Sequence, residues 1–440
     1  MAELSPPDVR AGRLSAEQYA AGFADAAPRF SRTQALVEAE RCLYCFEAPC
    51  QTACPTGIDV ASFIRRIAED NLRGAARTIL EANPLGGTCA RVCPTEELCE
   101  QVCVRVAQQG KAVEIGRLQR YAVDAVMDQP VTALFTRAPA TGQRIAIVGA
   151  GPAGLACAFV LARLGHEVVV HDARPAGGGL NEYGLATYKM AGDFAQAELH
   201  WLMQIGGIQL ATGWRLDTAA QLQALRDGFD AVYLALGMAG THTLNIRGES
   251  LAGVRDAVDF IAELRQADNV ALLPIGRRVV VIGGGMTAVD AAVQSKLLGA
   301  EAVHIVYRRG PAQMSASDAE VAWALSHGVA IHHHLAPAEL LGEHGHVTGV
   351  RFARADGGAS EVIAADTVLK AIGQKFDSAL LAGTGVRLSG GRNQADADGA
   401  TGVAGLWAGG DCRAGGRDLT VEAVEDGKRA AHAIHATLSA

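Results

Sequence analysis

A chain of 440 residues exceeds one ordinary domain, and at the usual domain size it suggests about three. With 51 glycines, 5% aromatic residues and 49% hydrophobic residues, it leans towards α/β nucleotide-binding domains and away from an all-β fold. A formal net charge of −8 speaks against nucleic acid as a partner, because phosphate binding needs a basic face.

The opening stretch MAELSPPDVRAG has no apolar core of the kind a signal peptide carries. No apolar run approaches the roughly 18 residues of a membrane span. A cytoplasmic protein is the expectation, and in a reducing compartment cysteines are more often metal ligands or reactive thiols than disulfides.

Ten cysteines are present, and eight of them lie between Cys42 and Cys103. The first run is Cys42-x2-Cys45-x4-Cys50-x3-Cys54-Pro55, and the second is Cys89-x3-Cys93-Pro94-x4-Cys99-x3-Cys103. Closely spaced cysteines on loops supply the four soft ligands of an iron–sulfur cubane. In two-cluster ferredoxins the Cys before Pro serves the other cluster. Cys42, Cys45 and Cys50 would then hold one cluster, Cys54 would cross to the second, and Cys103 would return to the first. Structural zinc and disulfides are the competing readings. Zinc sites usually pair two C-x2-C units, and only one is present here. Between the runs, apolar residues at Phe63, Ile64 and Ile67, then at Ile79 and Leu80, predict two short helices with a break at Asn71 to Gly74. No convincing strand precedes residue 143.

After a polar linker at Ala138–Gly142, Arg144–Val148 reads as a strand that runs into Gly149-Ala150-Gly151-Pro152-Ala153-Gly154. A helix over 153–164 and a strand at Val168–Val170 follow, with Asp172 at the strand's end. A glycine fingerprint in this context lets the backbone approach a pyrophosphate at a helix N-terminus, and the acid can take a ribose hydroxyl. The pattern recurs at Val279–Ile282, Gly283-x-Gly285-x2-Ala288, a helix to about Leu298, and a strand at Val303–Tyr307. That strand ends in Arg308 and Arg309, which can pair with a 2′-phosphate and favour NADPH over NADH; a solvated surface pair is the alternative. Near the C-terminus, Leu406-Trp407-Ala408-Gly409-Gly410-Asp411, followed by the helix start at Thr420, is suited to meet a flavin.

Weaker features read as structural. VAIHHHL, with His332, His333 and His334, predicts a strand whose neighbours face opposite ways. His432 and His435 share a helix face without acidic or thiol company. Cys157 and Cys412 read as packing residues.

The whole arrangement resembles dihydropyrimidine dehydrogenase in its N-terminal half and in its separate bacterial electron-input subunit. The resemblance rests on RCLYCFEAPCQTACPT, NPLGGTCARVCPTEELCEQVC, IGRLQRYA, VGAGPAGLACA and TVEAVEDGKRAA. The glutamate synthase small subunit shares the architecture, but with a shorter spacing after its Cys-Pro. The resemblance implies an α/β protein: a helical two-[4Fe–4S] domain at 1–137, then two interleaved Rossmann-like domains. The first would be a discontinuous FAD-binding domain at 138–245 and 374–440, the second an NAD(P)H-binding domain at 246–373. It implies one cluster on Cys42, Cys45, Cys50 and Cys103. The second would lie on Cys54, Cys93, Cys99 and Gln119, leaving Cys89 without iron.

FAD contacts would come from Gly149, Ala150, Gly151, Ala153, Gly154, Asp172, Gly179, Leu180, Lys189, Gly410, Asp411 and Thr420, with Ala371 and Gly373 at the crossover between domains. NADPH or NADH contacts would come from Gly284, Gly285, Met286, Thr287, Arg308 and Arg309. Lys189 stands where the animal enzyme has Arg, and Ser315 where it has a further basic residue. The 440 residues hold no counterpart of that enzyme's FMN barrel. The resemblance therefore implies an FMN-containing catalytic subunit on another polypeptide, in a heterotetramer, reducing uracil or thymine to the dihydro base. An electron-input subunit of glutamate synthase, a ferredoxin:NAD(P) oxidoreductase and a non-catalytic flavoprotein scaffold are the rival expectations.

Overall fold

The computed structural model describes residues 13–440. The reading of no signal peptide rests partly on residues 1–12, which lie outside the described residues. The described residues divide into two compact units: one of residues 27–182, 192–240 and 375–440, the other of 13–26, 183–191 and 241–374.

The larger unit starts with the cysteine module. Helices Val60–Ala68 and Leu72–Ala82 form where the apolar spacing predicts them, but the break between them is tighter than expected. Asp70 adopts a left-handed conformation, and the Asn71 side chain accepts the Gly74 N–H at 2.9 Å, so the second helix already begins at Leu72. Phe63, Ile64, Ile67, Ile79 and Leu80 are buried with Leu118 of the helix Ile115–Asp124. Full burial stabilises each such side chain by about 1.5–3 kcal/mol. This core runs without interruption into that of the first Rossmann fold, where Phe135 meets Phe159 edge-on at 5.7 Å.

Among the described residues the first strand is Arg144–Val148. It sits in the middle of a parallel sheet in the order Leu406–Ala408, Ala231–Leu234, Arg144–Val148, Glu167–His171, Ile208–Ala211. The last strand in sequence thus closes one edge of a sheet begun far earlier, so this fold is discontinuous in the chain. Helices Pro152–Arg163 and Thr420–Ser439 pack on each other beside it.

The other unit carries a second parallel sheet in the order Val254–Asp256, Thr367–Lys370, Arg278–Ile282, Ala302–Tyr307, Ala330–His333. The predicted histidine strand ends at His333 because His334 turns left-handed (φ 62°). A three-stranded antiparallel sheet, Leu335–Glu343, His346–Arg354 and Glu361–Ala364, packs on this sheet through Leu340, Val350 and Phe352. Among the described residues no helix is long and apolar enough to cross a membrane.

Candidate redox centres

The first cysteine group surrounds a recess of about 400 Å³, counted to its open mouth, lined by Cys42, Cys45, Cys50 and Cys103 with Val60, Ile64, Val113 and Ile115. Cys42 follows the helix Arg32–Ala39, Cys50 lies in the short helix Pro49–Thr52, and Cys103 caps the helix Val104–Gln109. Tyr44, in the left-handed region, turns its N–H to Cys42 Sγ at 3.5 Å. Burial pushes the Cys50 thiol up to about 11, with Cys42 and Cys103 adding to the rise. Burial likewise raises Cys42. Thiols so placed resist ionisation alone, and cationic iron reverses that balance. Among the described residues no three His, Cys, Asp or Glu side chains converge as on a single ion. The four thiols ring a space instead, which suits a group of several metal atoms.

Cys54, Cys93 and Cys99 form a second group. The Cys93 thiol is raised first by its hydrogen bond with Cys89, then by burial and by Cys99 and Cys54. Burial leads the rise at Cys99, with Glu100 and Cys54 contributing. Cys54 Sγ lies 3.3 Å from Thr56 Oγ1. Cys89 is buried, packed with Leu98, Val421, Cys93 and Leu419. Gln119, also buried, donates from Nε2 to Gly86 O at 2.7 Å. Cys89 thus stands as a thiol against Cys93, and Gln119 as an amide tied to the first residue of the helix Gly86–Val92 that carries Cys89.

The first glycine loop shows the close approaches that a pyrophosphate site requires. Gly149 has φ 110°, and a Cβ there would lie 2.1 Å from Ala235 O, so only glycine fits. Gly151 caps the helix Pro152–Arg163, and Gly179 lies against Gly151. Asp172 accepts the Ala150 N–H at 2.7 Å and the Arg174 N–H at 2.8 Å, fastening the loop to the end of its strand. From the far end of the same unit, Thr420 donates to Asn181 Oδ1 at 3.2 Å, next to Leu180. Gly410, Asp411, Arg392 and Asp426 line a smaller recess of about 220 Å³. Burial, reinforced by Asp418, pushes the Asp411 carboxyl up to about 6. Glycine backbone at a helix N-terminus, with a strand-end acid and a polar recess from the C-terminal segment, fits a dinucleotide.

In the other unit Gly285 caps the helix Met286–Leu297, whose first turn holds Thr287, and Gly284 O accepts the N–H groups of Ser315 and Ala316. Ala371 O faces Gly283 so closely that a Cβ there would lie 2.2 Å away, and Gly373 turns the chain at φ 95°. Ala371 thus borders the second glycine loop. Arg308 and Arg309 are exposed, and Arg309 lies over the Tyr307 ring. Lys189 belongs to this unit as well. Its ammonium bonds Asp290 at 2.7 Å and Glu320 at 2.6 Å, and these carboxylates raise it against the lowering effect of burial.

Several residues escaped the reading of the sequence. Asn181, Glu198 and the ammonium of Lys428 each join distant segments of the larger unit, and no local pattern announces them. Lys428 donates to Thr56 O at 3.1 Å and to Ala82 O at 2.7 Å. Two histidine pairs form: His166 Nε2 with His435 Nδ1 at 2.8 Å, and His304 Nδ1 with His332 Nε2 at 3.0 Å. Cys157 and Cys412 are buried, and Cys412 Sγ donates to Gly409 O.

Residues 143–427 match the pyridine nucleotide-disulphide oxidoreductase family. The chain belongs to that family. Residues 19–131 match dihydropyrimidine dehydrogenase domain II, 4Fe-4S cluster, so this oxidoreductase carries a 4Fe–4S-type domain ahead of its nucleotide-binding folds. The NAD-dependent dihydropyrimidine dehydrogenase subunit PreT of Salmonella typhimurium is 33% identical, over 93% of this chain and 95% of its own. The glutamate synthase [NADPH] small chain of Halomonas elongata is 31% identical, over 97% of this chain and 95% of its own. Among solved structures, T. acidophilum thioredoxin reductase matches 68% of this chain and 100% of its own, with a TM-score of 0.54 at 20% identity, a likeness of fold.

Proposed function

We propose that this oxidoreductase is the electron-input subunit of a dihydropyrimidine dehydrogenase, taking electrons from NAD(P)H for an FMN-containing partner that reduces uracil or thymine. The observation that carries the reading is the interleaving of the two cysteine runs within the unit that holds the first glycine loop. Cys103 of the second run lines one recess with Cys42, Cys45 and Cys50, while Cys54 of the first run joins Cys93 and Cys99. When bound, FAD accepts a hydride and yields single electrons, and [4Fe–4S] clusters carry electrons singly.

The chain's own residues do the holding. Gly149, Ala150, Gly151, Ala153 and Gly154 present backbone to the pyrophosphate, and Asp172 fixes that loop. Gly179, Leu180, Gly410, Asp411 and Thr420 border the flavin side. Gly284, Gly285, Met286 and Thr287 offer the second helix N-terminus to the nicotinamide dinucleotide, with Arg308 and Arg309 at the ribose end. Ala371 and Gly373 support that loop, and Lys189 stiffens the same unit through Asp290 and Glu320. Cys42, Cys45, Cys50 and Cys103 hold one cluster; Cys54, Cys93, Cys99 and Gln119 hold the other. No side-chain acid or base is needed for hydride transfer between bound cofactors.

The purified chain is expected to contain flavin and about eight irons, two cubanes' worth. It should oxidise NAD(P)H with an artificial acceptor and leave uracil unchanged until the FMN partner is added. Uracil reduction by the chain alone, or indifference to that partner, would overturn the proposal. The similarity to glutamate synthase small chains supports a second reading, an input subunit for that enzyme, which co-purification of a glutamate synthase large chain would establish.

A further inference from the structure

The first turn of the helix Gly86–Val92, Gly86-Gly87-Thr88, is tied down from three sides. Glu198, on the helix Phe194–Met203, is 1% exposed. Its Oε1 accepts the Gly87 N–H at 2.8 Å, and its carboxylate takes the Thr88 N–H at 3.1 Å and the Thr88 hydroxyl. Arg91 donates to Gly87 O at 3.0 Å while its guanidinium lies over the Phe194 ring. A Cβ on Gly87 would lie 2.5 Å from Phe194 Cζ and 2.8 Å from Glu198 Oε1, so the glycine is what lets Glu198 reach the backbone. The third tie is Gln119 Nε2 to Gly86 O.

That last bond decides the orientation of the amide. A carbonyl oxygen only accepts, so it must face the NH2 of Gln119 and not its oxygen. Oε1, the one atom of this side chain suited to bind iron, is thereby turned away from Gly86 O. The Gly86 carbonyl can impose this only if its peptide plane is fixed, and the next two N–H groups along the chain are held by Glu198.

We infer that Glu198 is a positioning residue for Gln119: by anchoring Gly87 and Thr88 it sets the Gly86 carbonyl that directs the amide oxygen of Gln119 to the second cluster. The inference rests on the proposal that Gln119 is a ligand. Glu198 touches no iron itself, and its effect should vanish when the ligand at 119 needs no orienting.

The test uses the full chain loaded with iron and flavin, read by iron content and by EPR of the reduced clusters. Glu198→Ala should perturb or lose one cluster signal, with iron falling from about eight towards about four, and leave the other signal unchanged. Glu198→Gln should stay close to the unmodified protein, since an amide oxygen still accepts the two N–H groups. Glu198→Ala combined with Gln119→Cys should regain iron, because a thiolate binds without amide orientation. An unperturbed second signal in Glu198→Ala, or failure of Gln119→Cys to rescue it, would overturn the inference. The ligand assignment is tested separately by Gln119→Cys alone: an unaltered spectrum and potential there would remove it, and the inference with it.

Discussion

The two cysteine groups differ in what surrounds them. The first opens to the surface, with Leu43 and Phe46 exposed beside its thiols; Phe46 is 102% exposed. The second backs onto the start of the C-terminal helix, where Cys89 and Cys93 pack with Leu419 and Val421. The first group assembles four thiols around one recess, whereas the second brings together three thiols from the two runs and leaves Cys89 and Gln119 competing for the last place. Counting cysteines therefore does not allocate them, because the spatial groups cut across the two runs.

The largest effect that could break this contrast comes from single ligand removals. Cys50→Ser and Cys54→Ser should each cost about half of the iron, yet leave different residual EPR signals, although both residues sit in the first run. Cys103→Ser should match Cys50→Ser and not Cys99→Ser. Identical residual signals for Cys50→Ser and Cys54→Ser would mean that each run serves its own cluster.

The contrast sharpens at the fourth ligand of the second group. Cys89→Ala should retain about eight irons, while Gln119→Cys should keep both clusters and lower one potential, since a thiolate adds a negative charge. Iron loss in Cys89→Ala would return the place to the thiol.

A smaller effect is a pH dependence. Burial pushes the Glu198 carboxyl up to about 7 from an ordinary 4.5. Between these values the folded chain holds a proton that the unfolded chain has released. The associated stability is thus full below the unfolded pKa and is lost as pH rises through the folded one. Tm should fall between about pH 5 and about pH 8, and Glu198→Gln should flatten that slope. The smallest effect is expected at Cys157, buried in the helix Pro152–Arg163. Cys157→Ala should cost about 1 kcal/mol in denaturant unfolding and leave the iron content unchanged.

Much of the fold was legible because its signals are local. Apolar runs ending in glycine turns announced both Rossmann folds, and the spacing of Phe63, Ile64, Ile67, Ile79 and Leu80 announced the helices between the cysteines. The antiparallel strands Leu335–Glu343 and His346–Arg354 went unread, although the alternation from Val347 to Phe352 and the turn at His344 and Gly345 offered a hairpin signal. Cysteine spacing pointed to the crossing, but the surroundings of Cys89 and Gln119 depend on Gly86 and Glu198, which are far apart in sequence. Lys189 was assigned with the flavin side by resemblance; its partners Asp290 and Glu320 lie more than a hundred residues on, beyond any local pattern.

The C-terminal helix gives the larger unit a built-in ruler. Its first residue, Thr420, is pinned to Asn181, and Lys428 is pinned to the carbonyls of Thr56 and Ala82. On one α-helix those anchors stand about 12 Å apart along the axis, at 1.5 Å per residue. A spacing fixed by helical rise is set by the helix itself and not by the loops around it. Loops between 375 and 405 can lengthen or shorten without moving the Cys54 segment relative to the turn that carries Thr420.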